Sequence, residues 1–214
     1  MRIATTLGVT LVIIASVLAP TASSRTYHRP VCYPKCRGAQ LANGQFFYLN
    51  LSGANFSRAN LTSAGLTSTY LAGTNFTRAN LTRANLARTD ITGANFSGAI
   101  LTGSSSYNMT AAGATFRNAR MQDAVFENSD FSDSNFAGAN LAGSNFTKAN
   151  LSRANLAGAN LSGTDLPNAN LSSANLRGAN LTDAYINGVI WLHTICPNGK
   201  NSDDHNQTCI FQGI

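Results

Sequence analysis

The sequence has few of the residues from which enzymes build active sites. Only 11% of its 214 residues are charged, nine are acidic and three are His. His28, His193 and His205 all lie near the two ends, so the long central part has no His. Glycine is common but forms no phosphate-binding loop. We therefore expect no catalytic residue and no cofactor, and we predict that the chain is not an enzyme.

A period of five residues dominates the central part of the chain. From Leu41 to Trp191 every fifth residue is bulky and apolar, except Ser106 and Ala111. The residue just before is usually Asn, and the one before that is usually Ala, Ser or Thr. This period fits neither a helix of 3.6 residues per turn nor an alternating strand. It is typical of a solenoid in which each short unit turns a corner and points one apolar side chain inward.

A second period, of twenty residues, indicates how many units form one coil. It relates Phe126 to Phe146, and it runs through a longer series: Phe56, Phe76, Phe96, Phe116 and Phe136. Four units per coil would stack each series into a column of rings. Such contacts contribute about 0.5–1.5 kcal/mol per pair beyond burial. The two periods together therefore predict a coil of four units.

Units such as Ala149-Asn150-Leu151-Ser152-Arg153 make residues 41–191 resemble the pentapeptide repeat family. The resemblance implies an all-β fold, a right-handed four-sided parallel β-helix with about twenty residues per coil. The units from Leu41 to Ile186 would then form roughly seven coils, a rod on the order of 35 Å long. Some members of the family bind DNA gyrase by resembling DNA, which requires an acidic rod. With a formal net charge of +6, this chain is not expected to do so.

The repeat is weakest near the middle of the chain. Ser106 and Ala111 stand where bulk is usual, and the usual Asn or Asp is replaced at six positions: Ile100, Ser105, Thr110, Thr115, Arg120 and Val125. Phe116 nevertheless stays in phase with Phe96, and no linker marks a domain boundary. We expect one degenerate coil with an underfilled core and a bulge, which opens more readily than its neighbours.

Residues 1–24 have the features of an export signal. The start is positively charged, the stretch from Ile3 to Leu18 is mostly apolar, and small residues follow up to Ser24. The apolar stretch is short for a membrane span of ~20 residues, so cleavage at residues 22–24 is favoured over an uncleaved anchor. We predict a secreted or periplasmic protein whose mature chain has no transmembrane segment.

The cysteines are absent from the repeat and lie on both sides of it: Cys32, Cys36, Cys196 and Cys209. In an exported protein they are disulfide candidates. Of the three pairings, Cys32–Cys36 with Cys196–Cys209 is favoured because a rigid rod separates the two ends. Exposed end coils invite association, so we interpret residues 25–40 and 192–214 as caps.

The C-terminal segment leaves two metal-binding alternatives open. A zinc site would use the spacing H-x2-C-x8-H-x3-C, which is formed by His193, Cys196, His205 and Cys209. A calcium site would use oxygen-bearing side chains in the same segment: Asn198, Asn201, Asp203 and Asp204. A disulfide next to exposed His residues, together with a polar turn, explains the same residues without a metal.

Positive charge is concentrated in the first half of the repeat. Arg117 and Arg120 follow four arginines that we predict as polyanion contacts: Arg58, Arg78, Arg83 and Arg88. Only Asp90 opposes them. A basic rod in the envelope has the charge to attract an anionic lipid or wall polymer, although scattered arginines on a solvated face are more common.

These observations predict a non-enzymatic, exported structural and protein-interaction solenoid. Its partner would be an unknown protein or envelope component, and no nucleic acid is expected. The alternative function is binding of an anionic envelope polymer or lipid surface through the Arg-rich half. A short ladder of Thr62, Thr82 and Thr102 also leaves ice binding as a weaker alternative.

Overall fold

The computed structural model describes residues 27–205 and 208–209. The predicted export signal at residues 1–24 lies outside this part. No helix within it is long and apolar enough to cross a membrane. Its helical element is a short 3-10 helix, Ser202–His205.

Each five-residue unit ends in a tight turn that makes a corner of the coil. In one such turn the backbone N–H of Ala54 donates to the carbonyl of Leu51 at 3.2 Å. The second residue after the apolar position has a positive φ, as in Gly53 at 68° and Arg58 at 59°. A turn of this kind favours Gly or Asn at that position, which explains why these residues are common two positions after the apolar residue.

Successive coils are joined by parallel bridges between residues twenty positions apart. Along one side, eight such bridges follow one another from Lys35–Asn55, the first, to Asn175–Ile195, the last. Each bridge is isolated because the chain turns a corner before a longer strand can form. The prediction of a four-unit coil is confirmed, and the architecture is a parallel β-helix. Its ladder takes in residues from both segments that we predict as caps.

The apolar side chains point inward and form four columns, one for each side of the coil. We number the sides by these columns: side 1 runs from Cys36 to Cys196, side 2 from Leu41 to Leu181, side 3 from Phe46 to Ile186 and side 4 from Leu51 to Trp191. Nearly all of these side chains are buried. The small residue two positions earlier is buried too, which explains the preference for Ala at that site.

Stacked phenylalanine rings form most of the column on side 1, as predicted. Phe76 and Phe96 have ring centroids 4.6 Å apart and planes 14° apart, and the series continues from Phe56 to Phe136 with centroid distances of 5.4, 5.1 and 4.8 Å. Two cysteine side chains, Cys36 and Cys196, occupy the same column near its ends and are buried.

The expectation of a bulge near residue 106 is wrong, whereas the underfilled core stays a prediction. The bridges Ile100–Arg120 and Ser105–Val125 keep the twenty-residue register. Met109 stands where a small residue is usual and is buried, and we infer that its side chain takes up part of the volume that Ser106 and Ala111 lack. The pattern of every fifth residue could not reveal this compensation, since Met109 lies outside that pattern.

One turn in this coil is closed by a side chain. The hydroxyl of Ser129, in the following coil, donates to the Ser106 carbonyl at 2.7 Å and accepts from the Met109 N–H at 3.0 Å. In the corresponding turn two coils later, the N–H of Ala149 donates directly to the carbonyl of Phe146 at 2.9 Å. The hydroxyl therefore replaces one turn bond without breaking the ladder.

Candidate functional site

The outer surface of the rod carries rows of Asn side chains that stabilise the fold. Asn55 Oδ1 accepts a hydrogen bond from the backbone N–H of Ser57 at 3.0 Å, and the same contact recurs in many units. Between coils, Asn160 Nδ2 donates to Asn140 Oδ1 at 3.2 Å. These amides are engaged within the protein, so the charged side chains are the stronger candidates for recognition.

The four arginines predicted as polyanion contacts do not form one patch. Each lies at the positive-φ position of a corner turn and is exposed. Arg58 and Arg78 lie one coil apart at the corner between sides 1 and 2. Arg83 lies at the next corner, between sides 2 and 3. Arg88 lies one corner further, between sides 3 and 4, and therefore does not border side 2.

Side 2 also carries Arg117 and Arg120, which the sequence did not place among the contacts. Arg117 lies at the corner between sides 1 and 2, where its carbonyl accepts from the N–H of Gly98 at 2.8 Å. Arg120 lies in the outer row of side 2, bridged to Ile100. The twenty-residue period contains this information, since Arg120 is two coils after Asn80.

These arginines border a strip of small and half-buried residues on coil 96–115. The strip is the outer surface of side 2 in that coil, formed by Gly98, Ile100, Thr102 and Gly103. The stems of two arginines lie beside the two glycines. If Gly98 carried a Cβ atom, that atom would lie 3.4 Å from Cγ of Arg78, and a Cβ atom on Gly103 would lie 3.7 Å from Cγ of Arg83. Two arginine stems therefore approach the ends of the strip from the preceding coil, while two more arginines adjoin it from the following coil. We call this set the arginine frame: Arg78, Arg83, Arg117 and Arg120.

The acidic residues leave the arginine frame uncompensated. Asp123 lies at the corner after Arg120, but its carboxylate leans toward the following coil, since an added Cβ at Gly143 would lie 2.7 Å from its Oδ1. Asp133 pairs with Arg153, with Nε and Oδ1 2.6 Å apart. A hydrogen bond from Arg153 holds the pKa of Asp133 below its usual range. Within residues 27–205, no ion pair involves an arginine of the frame.

Both ends of the rod carry a local disulfide. Cys32 is bonded to Cys36 and Cys196 to Cys209, which are the two pairings favoured from the sequence. Because both C-terminal sulfurs are in a disulfide, they are not thiolate ligands for the zinc site considered above. The side chain of His205 lies outside the described part.

The C-terminal segment folds back over the last coil. Ser202 is fully buried, and its hydroxyl donates to the carbonyl of Trp191 and accepts from the Thr194 N–H. The Asp203 carboxylate accepts from the His193 N–H at 3.0 Å and also contacts the His193 ring. The backbone N–H of His193, with a further contribution from its ring, lowers the pKa of Asp203.

Hydrogen bonds also occupy other candidate calcium ligands. Asn198 Oδ1 accepts from the Lys200 N–H and Asn201 Oδ1 from the Asp203 N–H, each at 3.0 Å. With the Asp203 carboxylate bound to His193, three of the four side chains have structural roles in the turn. The geometry therefore favours the polar-turn interpretation over a calcium site.

The architecture and the repeat together define the class of protein. A coil of four five-residue units, with parallel bridges at every turn, is a pentapeptide β-helix. The family model described as "Pentapeptide repeats (8 copies)" matches residues 35–78, 64–103, 112–147 and 149–188. The chain therefore belongs to the pentapeptide repeat family, whose members fold as right-handed four-sided β-helices.

Several solved structures are similar to this chain. A trypsin-treated variant of QnrB1, a plasmid-mediated fluoroquinolone resistance protein, is 21% identical with a TM-score of 0.53, over 70% of this chain and 85% of that one. HetL from the cyanobacterium Nostoc sp. strain PCC 7120, a protein involved in regulating heterocyst differentiation, is 23% identical with a TM-score of 0.33, over 78% and 92%. A pentapeptide repeat protein of the Arabidopsis thaliana thylakoid lumen is 30% identical with a TM-score of 0.31, over 50% and 68%. No curated protein matches the chain. At these identities the QnrB1 likeness concerns the fold alone.

Proposed function

We propose that the mature chain is an exported, non-enzymatic solenoid that binds another envelope component. The observation that carries this proposal is the pair of terminal disulfides, Cys32–Cys36 and Cys196–Cys209. Structural disulfides persist mainly in oxidising compartments, which agrees with the signal-like segment at residues 1–24. We also propose that residues 25–40 and 192–214 cap the rod and that the coil is right-handed, as in the family.

Export is tested by fractionating cells that express the full chain and a version lacking residues 2–24. We expect the full chain in the periplasm or medium, beginning near residues 23–25 and without free thiols. The shortened version should stay in the cytoplasm with reduced cysteines. Recovery of the intact full chain from the cytoplasm, with residue 1 retained, would contradict the proposal.

A second candidate function is binding of an anionic envelope polymer or lipid surface through the arginines of the first half. Its support is the basic surface of side 2, where Arg58 and the arginine frame meet little opposing charge. A pull-down of envelope components on the mature protein is compared with a variant carrying Arg58→Ser, Arg78→Ser and Arg83→Ser. We expect loss of a captured anionic component in the variant, while equal capture by both proteins would reject this function.

A further inference from the structure

We propose that the arginine frame binds a single linear chain of phosphodiester-linked units, which lies on the strip from Gly98 to Gly103. This inference deepens the second candidate function: it names one strip on one side of the rod and one class of polymer. It moves the site away from Arg88 and toward Arg117 and Arg120, which only the folded coil brings to the strip.

The frame is suited to anions because its four charges border one strip and form no ion pair within residues 27–205. The stems of Arg78 and Arg83 approach the strip from the preceding coil. The backbones of Arg117 and Arg120 are hydrogen-bonded to the strip from the following coil. All four side chains are exposed. Guanidinium groups bind phosphate through paired N–H donors, and they are less strongly hydrated than the ammonium group of Lys.

The floor of the strip suits a slender polymer. Gly98 and Gly103 form its two ends, so the ligand can approach the backbone closely there. Between them, Ile100 and Thr102 are half-buried. A polysaccharide with charged sugar rings would be expected to use aromatic side chains as platforms, but no exposed aromatic residue of the described chain lies on side 2: Tyr48, Tyr70, Tyr107 and Tyr185 lie elsewhere. A short-unit phosphodiester chain needs no such platform.

A membrane surface fits less well than a single chain. Binding in a lipid interface uses apolar side chains that insert beside the cationic groups. The large exposed apolar residues of the described chain lie outside side 2, for example Val125 on side 3 and Ile190 on side 4. Side 2 therefore offers guanidinium groups around a shallow strip in which Ile100 is half-buried, and it has no large exposed apolar side chain that would insert.

The test compares two double variants that remove equal charge. The frame variant carries Arg78→Asn and Arg120→Asn, and the control carries Arg88→Asn and Lys148→Asn. Each change places Asn at a row or corner position that already has Asn in another coil. The corresponding residues are Asn118 for Arg78, Asn140 for Arg120, Asn108 for Arg88 and Asn128 for Lys148. Both variants should therefore keep the fold and melt like the parent protein.

Binding is measured by calorimetry with poly(glycerol phosphate) of defined length, at several salt concentrations. We expect the frame variant to bind about tenfold or more weakly, and its salt slope to fall by about 1.4 if each lost contact releases ~0.7 counterions. The control should stay within about threefold of the parent protein. Equal weakening of both variants would mean that only net charge matters, and would overturn the site.

A variant of unchanged charge tests the strip itself. Gly98→Asn with Gly103→Asn would place side chains on the floor, and Asn tolerates the positive φ of these positions better than most residues. We expect about fivefold or greater loss of affinity from blocking close approach. The matched control, Gly158→Asn with Gly163→Asn, changes the same two corners three coils later and should have no effect. Normal binding by the Gly98 and Gly103 variant would contradict a ligand on the strip.

Two further probes separate the sources of negative charge. Poly-glutamate of matched charge should bind at least fivefold more weakly than poly(glycerol phosphate). The parent protein should bind phosphatidylglycerol vesicles no more strongly than the frame variant does. Stronger binding to vesicles would overturn the proposal in favour of a membrane. If the protein is exported but its frame variant binds poly(glycerol phosphate) like the parent, this inference fails while the exported interaction module stands.

Discussion

Coils 96–115 and 136–155 have the same ladder and different interiors. The later coil follows the repeat, with large side chains at Phe136, Leu141, Phe146 and Leu151. The earlier coil has Ser106 and Ala111 at two of the four equivalent positions and a buried Met109 in a row that is otherwise mostly small. The twenty-residue bridges run through both coils without a shift. The ladder therefore keeps the same register in both coils, although different inward rows carry their large side chains.

The following coil has large aromatic side chains at the two corresponding positions. Phe126 and Phe131 follow Ser106 and Ala111 by one coil, and their rings meet edge to face with centroids 5.3 Å apart. Ser104 and Ser106 keep buried hydroxyls that have no hydrogen-bond partner among the described residues. Coil 96–115 is thus less regular inside than coil 136–155, and its outer surface on side 2 is the strip bordered by the arginine frame.

The largest expected effect concerns the regular coil. Leu151→Asp would bury an unpaired carboxylate in a fully buried position, and we expect a loss of about 4 kcal/mol or more in unfolding free energy. Denaturant unfolding followed by circular dichroism measures this loss. The control Ser173→Asp introduces the same charge at an exposed corner one coil after Arg153 and should change stability by less than about 0.5 kcal/mol. Similar losses in the two variants would contradict the inward assignment of Leu151.

The next effect tests whether Met109 fills the irregular coil. Met109→Ala should cost about 2–5 kcal/mol because it leaves a cavity. The reverse change in the regular coil, Ala149→Met, should also destabilise, by about 1–3 kcal/mol through overpacking.

A double variant sharpens the same comparison. Ser106→Leu with Met109→Ala would restore the usual pattern, and we expect it to be more stable than Met109→Ala alone, with a coupling that a double-mutant cycle can measure. A Met109→Ala variant as stable as the parent would show that its side chain is not needed to fill the coil.

The third case is the two ends of the rod, each of which carries a disulfide. Replacing Cys196 and Cys209 by Ser should lower the free energy of unfolding by about 3 kcal/mol. Replacing Cys32 and Cys36 should lower it by about 2 kcal/mol, because the disulfide between Cys32 and Cys36 closes the shorter loop. Trp191 is nearly buried beneath the C-terminal segment, so its fluorescence should change on reduction before the central coils unfold. A chelator should leave the fluorescence unchanged, and simultaneous loss of cap and coils would contradict a locally acting disulfide.

The smallest effect is the pH dependence of the C-terminal segment. Asp203 has a lowered pKa in the folded protein, so its charged form favours folding. This contribution is present above the ordinary pKa of about 3.9 and is lost as pH falls through the lower folded value. We follow the thermal transition by Trp191 fluorescence. We expect its midpoint temperature to fall more steeply with acid in the parent protein than in the Asp203→Asn variant. Parallel acid profiles would show that the His193–Asp203 contact does not contribute.

The sequence by itself determined the repeat, its phase and the inward positions. Side chains that repeat every five residues must all point inward if the coil has four corners, so Phe56 to Phe136 could be placed in one column without coordinates. The local cysteine pairings were also within reach, because a rigid rod cannot bring its own ends together.

Only the tertiary structure decided how irregular residues are used. Met109 is buried between the small residues three positions before and two positions after it, and a large side chain in another row leaves no mark on a five-residue pattern. Arg88 is close to Arg83 in the sequence but lies one corner further around the rod, whereas Arg117 lies next to Gly98 in the folded coil. The reason is geometric: each corner turns the chain to another side, so neighbours on the surface are mostly residues about twenty positions apart.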